Sequence, residues 1–179
     1  DKNIDISENF VIQIHKKKQE HYLDLINRGF VSLKTGVNRL IDDLSSKNIR
    51  QFIVTSSSRS QVQLLVDKLF PDKNPFEFFI TSDDVDSLKP DPMPYLEAIK
   101  LSGIKISNSL VFEDSKPGLL SAFSANLPTI CVKSNLPTEF DNSLYIKCLV
   151  DTIGDNAHPS IIIKGPQLLG NYINYEYLN

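Results

Sequence analysis

Cysteine is scarce in this chain, with Cys131 and Cys148 alone among 179 residues, and neither has a C-x-x-C partner or histidine-rich company. That excludes a zinc ribbon or a disulfide framework and reads both as buried apolar side chains in a reducing compartment. No charge of one sign dominates. Nineteen Lys and Arg stand against 22 Asp and Glu, a net −3 that offers no field for gripping a nucleic-acid backbone. The longest apolar runs, such as residues 76–80 and 160–163, fall far short of the roughly 20 residues a membrane helix needs. There is no internal repeat and no low-complexity linker. The only methionine is Met93, so no initiator opens the chain, and a segment upstream of Asp1 is expected. What is present is 41% hydrophobic residues, ample for a sizeable soluble core.

Along the chain, Ser7 reads as the N-cap of a helix over residues 8–28, with Phe10, Val11, Ile14, Tyr22, Leu25 and Ile26 at helical spacing and Gly29 as the stop. The run His15-Lys16-Lys17-Lys18 forms its solvated face. From Thr35, read as the next N-cap, short apolar strands alternate with amphipathic helices. The strands are Phe52-Ile53-Val54, Phe78-Phe79-Ile80, Leu110-Val111-Phe112 and Thr129-Ile130-Cys131-Val132. This alternation predicts an α/β fold with a doubly wound, mainly parallel sheet covered on both faces. In such a sheet the ligand lies beyond the carboxyl ends of the strands. Residues 161–163 suit an edge strand, and Tyr172, Tyr175 and Tyr177 are candidates to pack on the core.

The polar residues at those strand ends form a set. Thr55 follows the first strand, Lys89 lies in the loop after the second, and Glu113 and Asp114 follow the third. A hydroxyl with backbone amides at a helix start (Thr55-Ser56-Ser57-Ser58), an ammonium and adjacent carboxylates together complement a phosphate monoester with Mg²⁺. Singly, each is an ordinary cap or turn; the joint order and placement carry the reading.

Phe52-Ile-Val-Thr-Ser-Ser-Ser-Arg59, Leu88-Lys-Pro-Asp-Pro92 and Val111-Phe-Glu-Asp-Ser-Lys-Pro-Gly118 resemble, in order and spacing, three motifs of the haloacid dehalogenase superfamily. The resemblance is to its branch of β-phosphoglucomutases, phosphoglycolate phosphatases and CbbY-type sugar-bisphosphate phosphatases, and it extends through Val150-Asp-Thr-Ile-Gly-Asp155. It implies that Thr55 and the Ser56 amide bind the phosphoryl group and that Lys89 offsets its charge. It further implies that Glu113 and Asp114 hold Mg²⁺, directly or through water, and that Ser57 and Arg59 contact the rest of the substrate. The implied activity is a Mg²⁺-dependent phosphatase acting on a small phosphorylated sugar, possibilities including xylulose 1,5-bisphosphate, through an aspartyl phosphate. A monomer is implied, cytoplasmic or in the plastid stroma of a plant, with no nucleic-acid or membrane partner.

The family's Asp-x-Asp-Gly-Thr, which supplies nucleophile and general acid, is not in these 179 residues. Asp84-Val85-Asp86 lacks the Gly-Thr and falls between the second and third motifs. The chain is therefore expected to divide into a cap remnant and linker (residues 1–34), a phosphatase core without its first strand (35–155) and an extension (156–179). By itself it is expected to be inactive. Two other readings stay open: a mutase, decided by residues outside the chain, and a non-catalytic phosphate- or partner-binding domain. No Gly-x-x-x-x-Gly-Lys is present, and the Lys34-Thr35-Gly36 and Ser102-Gly-Ile-Lys105 fragments stand in the wrong order for a β-lactamase.

Overall fold

The computed structural model describes residues 8–133 and 146–178; Ser7, expected as the first N-cap, lies outside them. β1 (Phe52–Val54) and β2 (Phe78–Ile80) pair in parallel as one sheet. β3 (Val111–Glu113), β4 (Thr129–Val132), β5 (Cys148–Val150) and β6 (Ile162–Lys164) form a second sheet in that order. There β3–β4 and β4–β5 are parallel, while β6 is the antiparallel edge. The expected mainly parallel α/β architecture is present, but the single sheet is divided in two. Among the described residues β1 and β3 do not pair, and a cleft of about 1580 Å³ runs between them.

The helices follow the apolar spacing. α1 (Glu8–Asn27) ends where Gly29 adopts φ +75°. Its periodic apolar face is largely exposed at Phe10 (51%), Val11 (41%) and Ile14 (50%), while Ile26 is buried. Lys16, Lys17 and Lys18 are exposed, as a solvated face requires. α3 (Arg59–Leu69) begins in a capping box of Ser58 and Gln61, and α5 (Lys116–Ser124) is capped by the Ser115 hydroxyl, which accepts from the Gly118 amide at 3.1 Å. α4 spans Met93–Ser102.

α2 (Val37–Ser46) corrects one expectation. Its cap is Gly36 at φ +81°, not Thr35. Gly36 is pressed so closely against Gly154 that a Cβ would overlap the Gly154 backbone, and the left-handed φ adds a second reason for glycine. Thr35 serves instead through its carbonyl, which accepts from the Thr152 hydroxyl at 3.0 Å.

Three apolar clusters hold the elements. The largest joins Leu40, Ile130, Val132, Cys148, Val150, Ile153 and Ile173. A second gathers Tyr95, Val111, Ala122, Ala125 and Leu127 between α4, α5 and β3, and a third joins Val62, Val66 and Phe79 beneath α3. Both cysteines are buried, as expected. The tail is more ordered than its sequence suggests. Ile173 is fully buried, Arg39 lies 3.9 Å over the Tyr172 ring and donates to the Ile173 carbonyl, and Asp43 accepts from the Tyr175 amide at 2.9 Å. These contacts bind the tail and its short helix α6 (Tyr175–Leu178) to α2. Among the described residues, no helix is long and apolar enough to cross a membrane.

Candidate active site

The cleft between the two sheets gathers the strand-end residues. At the end of β1, the Thr55 amide donates to the Ile80 carbonyl at 2.9 Å, continuing the β1–β2 ladder by one residue. The Thr55 hydroxyl accepts from the Ser57 amide at 3.1 Å, which turns the chain into α3. Thr55, Ser56 and Ser57 line the cleft there, ahead of an 11-residue helix whose first turn is already capped: the Ser58 amide donates to Gln61 and the Arg59 amide to Asp83.

Lys89 and Glu113 form the buried centre of the site, with side chains 9% and 8% exposed. The Lys89 ammonium is ion-paired to Glu113, donates to the Val54 carbonyl at 2.8 Å and reaches the Tyr95 hydroxyl at 3.1 Å. Tyr95 donates to Glu113 Oε1 at 2.7 Å. Burial, with the Glu113 charge and hydrogen bond adding to it, pushes the Tyr95 phenol far above its ordinary value, so it stays a donor. Burying two charges is tolerable because both are paired and bonded further. Gly118 is required here, since a Cβ on it would overlap the Glu113 carboxylate.

The adjacent acids therefore divide. Glu113 Oε1 serves Lys89 and Tyr95, while Oε2 lies 3.2 Å from both the Asp114 amide and the Ser115 hydroxyl. Asp114 is half-exposed and contacts the Lys34 ammonium at 2.7 Å. Behind them, burial foremost and then the charges of Asp114 and Glu113 push the Cys131 thiol up to about 12, against the opposing pull of Lys34. Among the described residues no cluster of three or more His, Cys, Asp or Glu gathers to hold a metal. One half-exposed carboxylate, Asp114, faces the open cleft with the buried Glu113 beside it, a donor that suits Mg²⁺, which commonly keeps several waters and completes its shell with substrate phosphate.

The structure does not bring Arg59 into the cleft. Its guanidinium reaches both Asp84 oxygens, at 2.6 and 2.8 Å, and the Phe79 carbonyl at 3.2 Å. Asp84 also accepts from the Thr81 hydroxyl at 2.6 Å and the Thr81 amide at 2.8 Å. Burial pushes the Asp84 carboxyl up, but these bonds together outweigh it and hold the group below its ordinary range. Asp84 is thus a loop brace, in keeping with the low rank of Asp84-Val85-Asp86 as a nucleophile. Two site residues escape sequence reasoning. Tyr95 has the spacing of a core residue on α4, and Lys34 has no local signal at all, since its partner lies 80 positions away.

Comparison with known proteins gives the site its relatives. The description "Haloacid dehalogenase-like hydrolase" matches residues 2–132. Protein CbbY of Rhodobacter capsulatus is 35% identical over 126 residues, which cover 69% of this chain and 56% of that protein. The phosphorylated carbohydrates phosphatase of Thermotoga maritima is 29% identical over 126 residues, covering 70% of this chain and 56% of that protein. A mutant CbbY from Rhodobacter sphaeroides, crystallised in complex with xylulose-(1,5)bisphosphate, superposes with a TM-score of 0.73 at 25% identity. That match covers 85% of this chain and 68% of that chain. The chain spans about half the length of the curated relatives it matches.

Proposed function

Because the chain belongs to the haloacid dehalogenase-like hydrolase family, as a CbbY-like member, we propose that it forms the phosphoryl-binding part of a phosphatase acting on a small phosphorylated sugar. The observation that carries this reading is the convergence of Thr55, Lys89 and Asp114 on one cleft at the carboxyl ends of the strands. The Thr55 hydroxyl and the Ser56 amide hold phosphoryl oxygens. Lys89 offsets charge that develops on the group in transfer. Asp114, with Glu113 behind it, holds Mg²⁺, whose chemistry when bound is to neutralise phosphoryl charge. The sugar bisphosphate held by the CbbY relative makes a pentulose bisphosphate the substrate class to try first.

These 179 residues hold no Asp-x-Asp-Gly-Thr, and the cleft supports a specific account of where a nucleophile would sit. The Thr55 amide points to β2, so by strand alternation the Val54 carbonyl faces the unpaired edge, where Lys89 bonds it. The Val111 amide points to the Pro128 carbonyl beside β4, so Phe112 likewise presents its backbone to the cleft. An extended apolar segment seated between β1 and β3 pairs both edges, takes over the Val54 carbonyl and releases a Lys89 donor toward the substrate. An Asp at that segment's carboxyl end would face Thr55 and Lys89 and attack phosphorus as the P–O bond to the sugar breaks; the sugar leaves as the protonated alcohol, and water then cleaves the aspartyl phosphate to inorganic phosphate and the free Asp.

The absence of an Asp-x-Asp-Gly-Thr favours a second reading, in which residues 1–179 alone bind phosphate without turnover. Phosphate release from xylulose 1,5-bisphosphate with Mg²⁺ separates the two. The expectation is none from the chain alone and turnover once a strand ending in Asp-x-Asp-Gly-Thr is joined or added. Turnover by the chain alone sinks the strand account, and no turnover with the strand sinks the phosphatase reading.

A further inference from the structure

Lys34 lies outside every motif that points to phosphate chemistry, yet its ammonium rests 2.7 Å from Asp114 Oδ2, with both side chains about half-exposed. The contact depends on a built support and not on a chance reach of a long side chain. The Lys34 carbonyl accepts from the Val37 amide at 3.1 Å, which tightens the turn into α2. Next to it, Thr152 clasps the Thr35 carbonyl, and Gly36 is wedged on the Gly154 backbone. The loop after β5 therefore latches residues 34–36 and sets Lys34 at the mouth of the cleft.

The neighbouring acid cannot take this cation's place. Glu113 is buried and committed to Lys89, Tyr95 and its own turn, so Asp114 is the acid of the pair with a carboxylate open to the cleft. A divalent cation held by Asp114 meets an ammonium already on one of its oxygens. Lysine is suited to such an exchange, being a compact hydrated charge on a flexible stem with no bidentate lock on the carboxylate.

We infer that Lys34 is a tethered cation that competes with the divalent metal for Asp114, so that metal occupancy and the docking of the α1–α2 connection oppose one another. The inference rests on the metal reading of Asp114 given above. Linkage makes the coupling reciprocal: whatever Lys34 subtracts from metal affinity, the metal subtracts from the hold of Lys34 on Asp114. For a half-exposed ion pair the expected size is about two- to five-fold.

The test is a Mn²⁺ titration of the chain followed by water-proton relaxation, the site being defined as the binding that Asp114→Asn removes. Lys34→Met should bind Mn²⁺ about two- to five-fold more tightly than the parent chain, and Lys34→Arg should return most of the difference. In the parent chain, Mg²⁺ should shift the Lys34 ammonium signal in ¹⁵N NMR, a displacement that a bulk charge effect does not produce. Equal or weaker Mn²⁺ binding by Lys34→Met, or an ammonium signal unmoved at Mg²⁺ saturation, overturns the competition. Mn²⁺ binding that survives Asp114→Asn, or no binding by any chain, instead overturns the metal reading itself.

Discussion

The sheets on either side of the cleft are built from the same unit, a short parallel strand pair under a helix, but they are finished differently. In the larger one β4 is buried at all four positions and flanked by strands on both sides, with Ile173 and the tail sealing α2 against it. In the smaller one β1 is only half-buried at each of its three positions and has one neighbour among the described residues; Ile53 packs on the cluster beneath α3, Val54 on the cluster of Tyr95 and Val111, and Phe52 stacks on Phe78. A two-stranded sheet is marginal alone, so the side that carries Thr55 depends on what lies in the cleft. The acid-bearing side supports itself. Lys89 links the two, bonding Val54 of one and Glu113 of the other.

Removing that link should have the largest effect. Lys89→Ala strands a buried carboxylate, at an expected cost of about 3–5 kcal/mol in urea unfolding. In a strand-complemented enzyme it should also lower kcat by about 10²–10³-fold, as loss of a charge-stabilising donor does. Adding Glu113→Gln to Lys89→Met should recover part of the stability but none of the activity. Equal stability of Lys89→Ala and the parent chain would break the idea of a buried linking pair.

Ile173→Ala tests the self-supporting side. Deleting a fully buried side chain there should cost about 2–5 kcal/mol. Native-state hydrogen exchange should show the loss at β4 and β5 and much less at β1, whose amides are expected to exchange faster from the outset. Uniform protection across both sheets would erase the comparison.

The smallest effect is electrostatic and belongs to the Thr55 side. Asp84 is held below its ordinary carboxylate range, so its contribution is present at neutral pH and lost as the pH falls through that lowered value. Asp84→Asn should remove up to about 1 kcal/mol at pH 7, as a partly exposed pair does, and flatten the acid limb of the stability curve. An unchanged acid limb would show that the Arg59 brace carries no load.

Much of this was legible beforehand for local reasons. All four named strands were placed within a residue of their observed ends, because continuous apolar runs between turn residues have few alternatives. The buried cysteines and the edge strand near residues 161–163 follow from similarly short-range chemistry. The misses are long-range. Thr35 looked like a cap until the approach of Gly154 made Gly36 the only residue that fits. Arg59 resembled a substrate contact, but Asp84, 25 positions on, holds its guanidinium outside the cleft. Phe10, Val11 and Ile14 have a core pattern and yet face outward, since spacing reports a stripe without naming its cover.

By itself the sequence determined the α/β alternation, the placement of Thr55, Lys89, Glu113 and Asp114 at or just after the strand ends, and the absence of an Asp-x-Asp-Gly-Thr among its residues. Each of these is written in neighbouring residues, where propensity, capping and motif spacing act. Only the tertiary structure decided that one acid of the pair is buried on Lys89 while the other meets Lys34, and that the sheet is divided by a cleft edged with unpaired strands. Those outcomes depend on which side chains compete for the same few ångströms, and that competition exists only once distant parts of the chain are brought together.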